Sequence, residues 1–335
     1  MIADCRLRIA DLQKSHLRAM AATLLLPLLA CGCQKSEPKF KVLNDAHMDV
    51  KEWKFAGRPG KQLETEHYDV YTTLKDESLI NAVPQMIESA NAYYRFLAPS
   101  QNATGEKMRM YLFAARGEFE SFTRHFAGPR AETLNKVRNG GYTEEGVCVV
   151  EYVAHQITYP IMAHEGLHQY LHFYAKGRVP AWLNEGLAVQ CEGQRWGRVG
   201  LKEIDPAYNP ARRAGLSDAL DHGDTFSLRE LLRIDAGHVV GGNSRKIGGY
   251  YGQVWALLLF LQEYGDGKYR AGYQRLLRTL GTDDLEPFAQ AAFVSSNEQS
   301  FNLGEYVFRA FISPDLETVD REFREYVQRR VLSAR

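Results

Sequence analysis

Hydrophobic and polar positions in the first half of the chain follow the spacing of strands mixed with helices. A period of two over 67–74 and again over 108–114 predicts two strands. A β-branched run after a Gly-Tyr-Thr-Glu-Glu turn predicts a hairpin or an edge strand over 140–153. Longer amphipathic stretches predict helices over 77–97 and 118–126.

The second half of the chain predicts helices only. Apolar residues recur at helical spacing from Ile157 to Leu171, and Thr158 is the candidate N-cap of this helix. Further helices are predicted to start near Pro180 and to cover 228–234, 254–264, 269–280, 285–292 and 314–332. A strand-rich front and a helical back predict an α+β protein. Its small mixed sheet lies in a lobe over 63–176, its all-helical lobe covers 177–335, and the two lobes flank a cleft.

The first 30 residues predict a targeting segment. A basic region precedes an apolar stretch over 19–30 that is too short to span a bilayer. The stretch ends in Leu28-Leu29-Ala30-Cys31, which resembles a bacterial lipobox. We therefore expect a lipoprotein signal peptide over 1–30, with Cys31 as the lipidated first residue of an extracytoplasmic, membrane-anchored protein. The alternatives are an ordinary signal peptide that is cut nearby and a single-span anchor.

Composition limits the remaining possibilities. Residues 31–62 are polar, with Lys, Gly and Pro, and predict a tether to the membrane. The 335 residues are 45% hydrophobic, which is enough for a large core. The number of Lys and Arg residues, 41, equals the number of Asp and Glu residues, so no basic excess favours binding to nucleic acid.

Cys148 and Cys191 are predicted to be two buried thiols, and a disulfide between them is the alternative.

The most informative chemistry is the sequence His164-Glu165-Gly166-Leu167-His168, an H-E-x-x-H motif. Positions i and i+4 of a helix share one face, so both imidazoles can reach one metal ion. The glutamate beside the first histidine can then take a proton from a metal-activated water. Glu185, seventeen positions after the second histidine, is the candidate third ligand of a catalytic zinc site. The alternative is an amphipathic helix whose histidines merely pack in a core.

The string Trp182-Leu183-Asn184-Glu185-Gly186 after this motif resembles the gluzincin zinc peptidases, above all their aminopeptidase N-like branch. From about residue 66 to the C-terminus the chain looks like the bacterial peptidase MA-like metallopeptidases. The resemblance implies a zincin-like fold, a peptide or protein substrate and one Zn²⁺ per chain. It implies His164, His168 and Glu185 as ligands and Glu165 as general base.

The same resemblance implies a tyrosine on a later helix that is aimed at the oxyanion. Tyr251 is favoured by its spacing to the apolar residues that follow, and Tyr250 remains the alternative, as does simple packing of both rings. Zincins also align their substrate on an edge strand, for which 147–152 is the candidate.

Several functional alternatives stay open at this point. One is a metal-binding, non-catalytic surface lipoprotein, and another is a zinc hydrolase of a non-peptide amide. Glu144 and Glu145 are the only suggestive carboxylate pair for an exopeptidase that grips a free amine. The Gly-rich stretch 237–252 is a loop over the cleft or a connector. We expect a monomer.

Overall fold

A mixed sheet forms the front of the computed structural model, which describes residues 40–44, 46–100, 105–137, 140–198, 200–234, 243–296 and 298–332. The strands are β1 (Phe40–Lys41), β2 (Asp49–Phe55), β3 (Arg58–Glu64), β4 (Tyr68–Thr72), β5 (Met108–Phe113), β6 (Gly141–Glu144) and β7 (Val147–Glu151). The main sheet has the order β2-β3-β4-β5-β7-β6. Strands β4, β5 and β7 are parallel, and their neighbours are antiparallel. The predicted strands and hairpin are therefore confirmed.

The tether predicted over 31–62 needs correction in its second part. Residues 49–62 belong to the β2–β3 hairpin, and Phe40–Lys41 form β1. Residues 31–39 of the predicted tether lie outside the described residues. The hairpin turns at Ala56 and Gly57, which both have positive φ. It carries few apolar residues, and its outer strand is largely exposed, so a polar composition concealed the alternation. The predicted signal peptide and Cys31 lie outside the described residues.

Helices cover both faces of the sheet. Helices α1 (Glu77–Leu97) and α4 (His155–Tyr174) pack on one face, where Val83, Met110 and Met162 share a core. Helix α2 (Arg116–Phe126) covers the other face, and the short helix α3 (Ala131–Leu134) follows it. Helix α4 begins at His155, three residues before the predicted cap at Thr158. The hydroxyl of Thr158 accepts a hydrogen bond from the backbone N–H of Val153 instead.

The back of the molecule is mainly helical. Its helices are α5 (Ala181–Cys191), α6 (Pro210–His222), α7 (Leu228–Arg233), α8 (Ser244–Glu263), α9 (Arg270–Leu280), α10 (Glu286–Val294), α11 (Leu303–Phe311) and α12 (Leu316–Leu332). The expectation of helices only is wrong, because β8 (Gln194–Trp196) and β9 (Leu201–Ile204) form a second sheet with β1, in which β9 lies between β1 and β8. Strands this short carry no readable alternation. From Phe40 onward the described residues belong to one compact α+β unit.

The Gly-rich stretch also differs from its prediction. Helix α8 already begins at Ser244, while residues 235–242 lie outside the described part of the chain. A Cβ on Gly252 would lie 2.6 Å from the Cβ of Leu216, and one on Gly249 would lie 2.8 Å from the Cβ of Ala219. These glycines therefore allow α6 and α8 to pack closely. In the described residues we find no helix with the length and apolar character needed to cross a membrane.

Candidate metal centre

Helices α4 and α5 bring three candidate ligands together. Oε2 of Glu185 lies 3.3 Å from Nε2 of His164 and 3.6 Å from Nε2 of His168. One donor atom from each residue lies within 4.8 Å of the others. Donors at about 2.0–2.2 Å from a tetrahedral zinc ion are about 3.3–3.6 Å apart, so the separations of 3.3 and 3.6 Å fit one ion. Oε2 of Glu185 is buried and has no hydrogen-bond partner among the described residues. A buried oxygen without such a partner is typical of a cation ligand.

Each imidazole is oriented by a partner on its other nitrogen. Nδ1 of His164 lies 2.7 Å from Oε1 of Glu192, and Nδ1 of His168 lies 2.9 Å from Oδ1 of Asn184. When both Nδ1 atoms donate, both Nε2 lone pairs face Glu185, which is the tautomer that a metal requires. The sequence reasoning missed both partners. The sequence indicated them only by position: Asn184 directly precedes Glu185, and Glu192 comes two helical turns after Glu185.

Buried charge in this centre favours a divalent cation. Nη2 of Arg212 lies 2.6 Å from Oε1 of Glu192, and Nε of Arg212 lies 2.9 Å from Oε2. With neutral histidines, the carboxylates of Glu165, Glu185 and Glu192 and the single guanidinium leave two negative charges uncompensated. Burial opposes charge on His164, but its contacts with Glu185 and Glu192 outweigh burial and raise its pKa to about 10. A proton on His164 is therefore stabilised at the position where a cation would be stabilised as well.

Strand β6 positions the carboxylate of Glu165. Oγ1 of Thr143 lies 3.1 Å from Oε2 of Glu165 and 2.8 Å from its backbone oxygen. A Cβ on Gly141 would lie 3.2 Å from Cγ of Glu165, so glycine lets the strand approach the helix closely. The edge strand predicted over 147–152 is wrong, because β7 lies between β5 and β6 and the edge is β6. The β-branched run marked a central strand, which is buried on both faces.

Helix α8 brings Tyr251 to the same centre. The ring centroid of Tyr251 lies 6.1 Å from that of His164. Cζ of Arg212 lies 4.5 Å from the ring centroid of Tyr251. Burial and the nearby carboxylate of Glu185 raise the pKa of Tyr251, which keeps the phenol protonated as a donor. Tyr250 is fully buried beside it. Of the two candidate tyrosines, Tyr251 is therefore the one placed against the histidines.

The other residues singled out from the sequence lie outside the group of candidate ligands. Glu144 forms an ion pair of 2.5 Å with Arg130, and Glu145 lies at the hairpin turn with φ 48°. Both Cys148 and Cys191 are buried free thiols, so the alternative of a disulfide is wrong.

A second cluster, Glu66, His67 and Glu88, also has donor atoms within 4.8 Å of one another. In that cluster Nδ1 of His67 lies 2.7 Å from Glu88, while Nη1 of Arg95 lies 3.2 Å from Nε2. A guanidinium at the second nitrogen opposes a cation there, so this cluster is an ion-pair network.

No protein-family model matches the chain, and a search of curated proteins finds no significant match.

Proposed function

We propose that the chain is a zinc-dependent peptidase of the gluzincin type, with a zincin-like fold. The observation that carries the proposal is the convergence of His164, His168 and Glu185 at separations that suit one tetrahedral ion. Three protein ligands leave a fourth position for water, as catalytic zinc sites do. The mixed sheet, the motif helix beside its edge strand and the helical lobe behind are consistent with such a fold.

The chain's own residues supply the remaining chemistry. When bound, zinc polarises the scissile carbonyl and makes water more acidic. Glu165 accepts the proton of the attacking water and later gives it to the leaving amine. Thr143 holds this carboxylate at the edge of the sheet. The hydroxyl of Tyr251 donates a hydrogen bond to the oxyanion, and removal of such a donor costs about 2.7–4 kcal/mol in other enzymes.

The edge strand suggests how a substrate lies in the site. Strand β6 has no neighbour on one side among the described residues, so its main chain can pair with an extended peptide. Glu165 lies directly beside this strand through its contact with Thr143. We therefore propose that the substrate adds a strand to β6. In that position its scissile bond faces the candidate ligands.

The experiment described below also distinguishes two other functions. A non-catalytic surface lipoprotein would bind the metal without cutting any peptide. A hydrolase of non-peptide amides would need Glu165 but would spare peptides. The carboxylate of Glu165 supports a hydrolase, because a site that only stores metal has no use for a positioned base.

The experiment combines metal analysis with cleavage of a peptide library. Purified protein should contain about one zinc per chain, lose hydrolysis on treatment with a chelator and regain it when zinc is returned. If the protein contains zinc but cleaves no peptide, it is the non-catalytic lipoprotein or a hydrolase of a non-peptide amide. Protein that binds no zinc refutes the proposal. Retention by lipid at Cys31 is proposed separately and does not affect this test.

A further inference from the structure

Arg212 lies behind the candidate ligands and touches two parts of the site at once. It is partly buried, in the first turn of α6. On one side its guanidinium makes two hydrogen bonds to Glu192, the carboxylate that orients His164. On the other side, Cζ of the same group lies over the ring of Tyr251, 4.5 Å from its centroid.

We propose that Arg212 is a positioning residue that fixes the orientation of His164, through Glu192, and of Tyr251 in a single rigid arrangement. This inference rests on the proposed function. Arg212 itself touches neither the ion nor the substrate in this assignment. Its effect is to keep the Nε2 of His164 aimed at the ion and the tyrosine hydroxyl over the cleft.

The planar fork of arginine is what this arrangement requires. A guanidinium can bond both oxygens of a carboxylate and stack on an aromatic ring with the same plane, whereas an ammonium acts as a point charge. The observed bonds of 2.6 and 2.9 Å reach different oxygens of Glu192. Substitution by lysine therefore keeps the charge and removes the geometry.

The backbone also holds this residue in place. Asn209 caps the start of α6 by accepting from the backbone N–H of Arg212, and its amide donates to Glu192 at 2.8 Å. The backbone oxygen of Arg212 lies 2.8 Å from the position of a Cβ on Gly252, the residue after Tyr251. Helix α6 thus sets the distance between Glu192 and Tyr251, and Arg212 joins them.

The test compares Arg212→Lys with the parent protein in three measurements. Zinc affinity is measured by competition with a chromophoric chelator, coordination geometry by the absorption spectrum of the Co²⁺ form, and folding by thermal unfolding without metal. We expect zinc affinity about ten-fold lower, since partners that orient metal ligands typically account for 10–100-fold. We also expect an altered Co²⁺ spectrum, which a merely structural role would not produce.

Two comparisons make the result specific. Arg213→Lys is the matched control, because Arg213 lies over Trp255 and should leave both metal measurements unchanged. Glu192→Gln should lower zinc affinity, and the double variant with Arg212→Lys should be no weaker, because both act through one contact. If Arg212→Lys does not fold, Arg212→Gln, which retains one donor, takes its place.

The outcomes separate this proposal from the proposed function. Unchanged zinc affinity and an unchanged Co²⁺ spectrum in the folded Arg212 variant overturn the positioning role, even if the parent cuts peptides. Equal losses in the Arg212 and Arg213 variants do the same. A parent protein that binds zinc and cuts nothing refutes the peptidase, while the zinc measurements still decide the role of Arg212.

Discussion

Replacement of Glu165 by glutamine separates catalysis from metal binding. The amide has nearly the shape of the carboxylate and lacks only its basicity. Its oxygen can still accept the hydrogen bond of 3.1 Å from Thr143. Glu165 is also outside the group of converging donor atoms, so zinc content should not change. The perturbation therefore reaches proton transfer while leaving the site assembled.

The expected loss follows from the role of a general base. Removal of a positioned base lowers a rate by about 10²–10⁴-fold. At about 1.36 kcal/mol per factor of ten, this equals about 2.7–5.4 kcal/mol of transition-state stabilisation. Stability should change by no more than about 1 kcal/mol, because one hydrogen bond is weakened and none is lost.

The assay measures kcat/KM on the best peptide of the library, alongside zinc content and the midpoint of thermal unfolding. Glu185→Gln is the matched comparison on α5. It removes a ligand charge, so zinc occupancy and hydrolysis should fall together. Hydrolysis by Glu165→Gln at the parental rate refutes the assignment of the base. A loss of zinc in Glu165→Gln as large as in Glu185→Gln would show that Glu165 holds the ion.

Three further changes test other parts of the molecule. His168→Ala should abolish stoichiometric zinc in elemental analysis, and zinc that persists at one per chain contradicts the ligand set. Cys31→Ser should move the protein from detergent to soluble fractions, since acyl chains contribute about 0.8 kcal/mol per buried CH₂, and an unchanged partition points to another signal. Gly252→Ala should destabilise by about 1–3 kcal/mol in thermal unfolding, because its Cβ would overlap Leu216 and the α6 backbone. Gly248→Ala, whose Cβ meets nothing closer than 3.5 Å, should be neutral or stabilising by up to about 1 kcal/mol, and equal effects would contradict the packing argument.

Strong local patterns predicted much of the fold. Helix α1 has the predicted bounds, because Asp76 caps it and a long amphipathic run follows. Helix α6 was missed because only Leu216 and Ala219 of its residues are buried, so its apolar period is too sparse to detect. Its readable signals were at its ends, in the cap at Asn209 and the left-handed Gly223.

The candidate site could likewise be predicted from the sequence only in part. His164 and His168 could be found because helical spacing alone places them on one face. Glu185 lies on the next helix, and the resemblance of the string around it to the gluzincins pointed to it. Arg212 could not be assigned, since its contact with Glu192 depends on how α6 packs after the chain has passed through β8 and β9. Such long-range pairing leaves no periodic trace in a sequence. The role of Arg212 therefore became visible only with the fold.

Under the proposed zinc assignment, the placement of the donor atoms on two separate helices ties folding to metal supply. An ion held by α4 and α5 binds the native chain and not the unfolded one, so it adds to the free energy of unfolding. Free zinc at 1,000 times its dissociation constant contributes about 4.1 kcal/mol by mass action. That is a large share of the 5–15 kcal/mol that is usual for a domain. Resistance of this chain to heat and to proteolysis should therefore rise and fall with the zinc concentration where it folds.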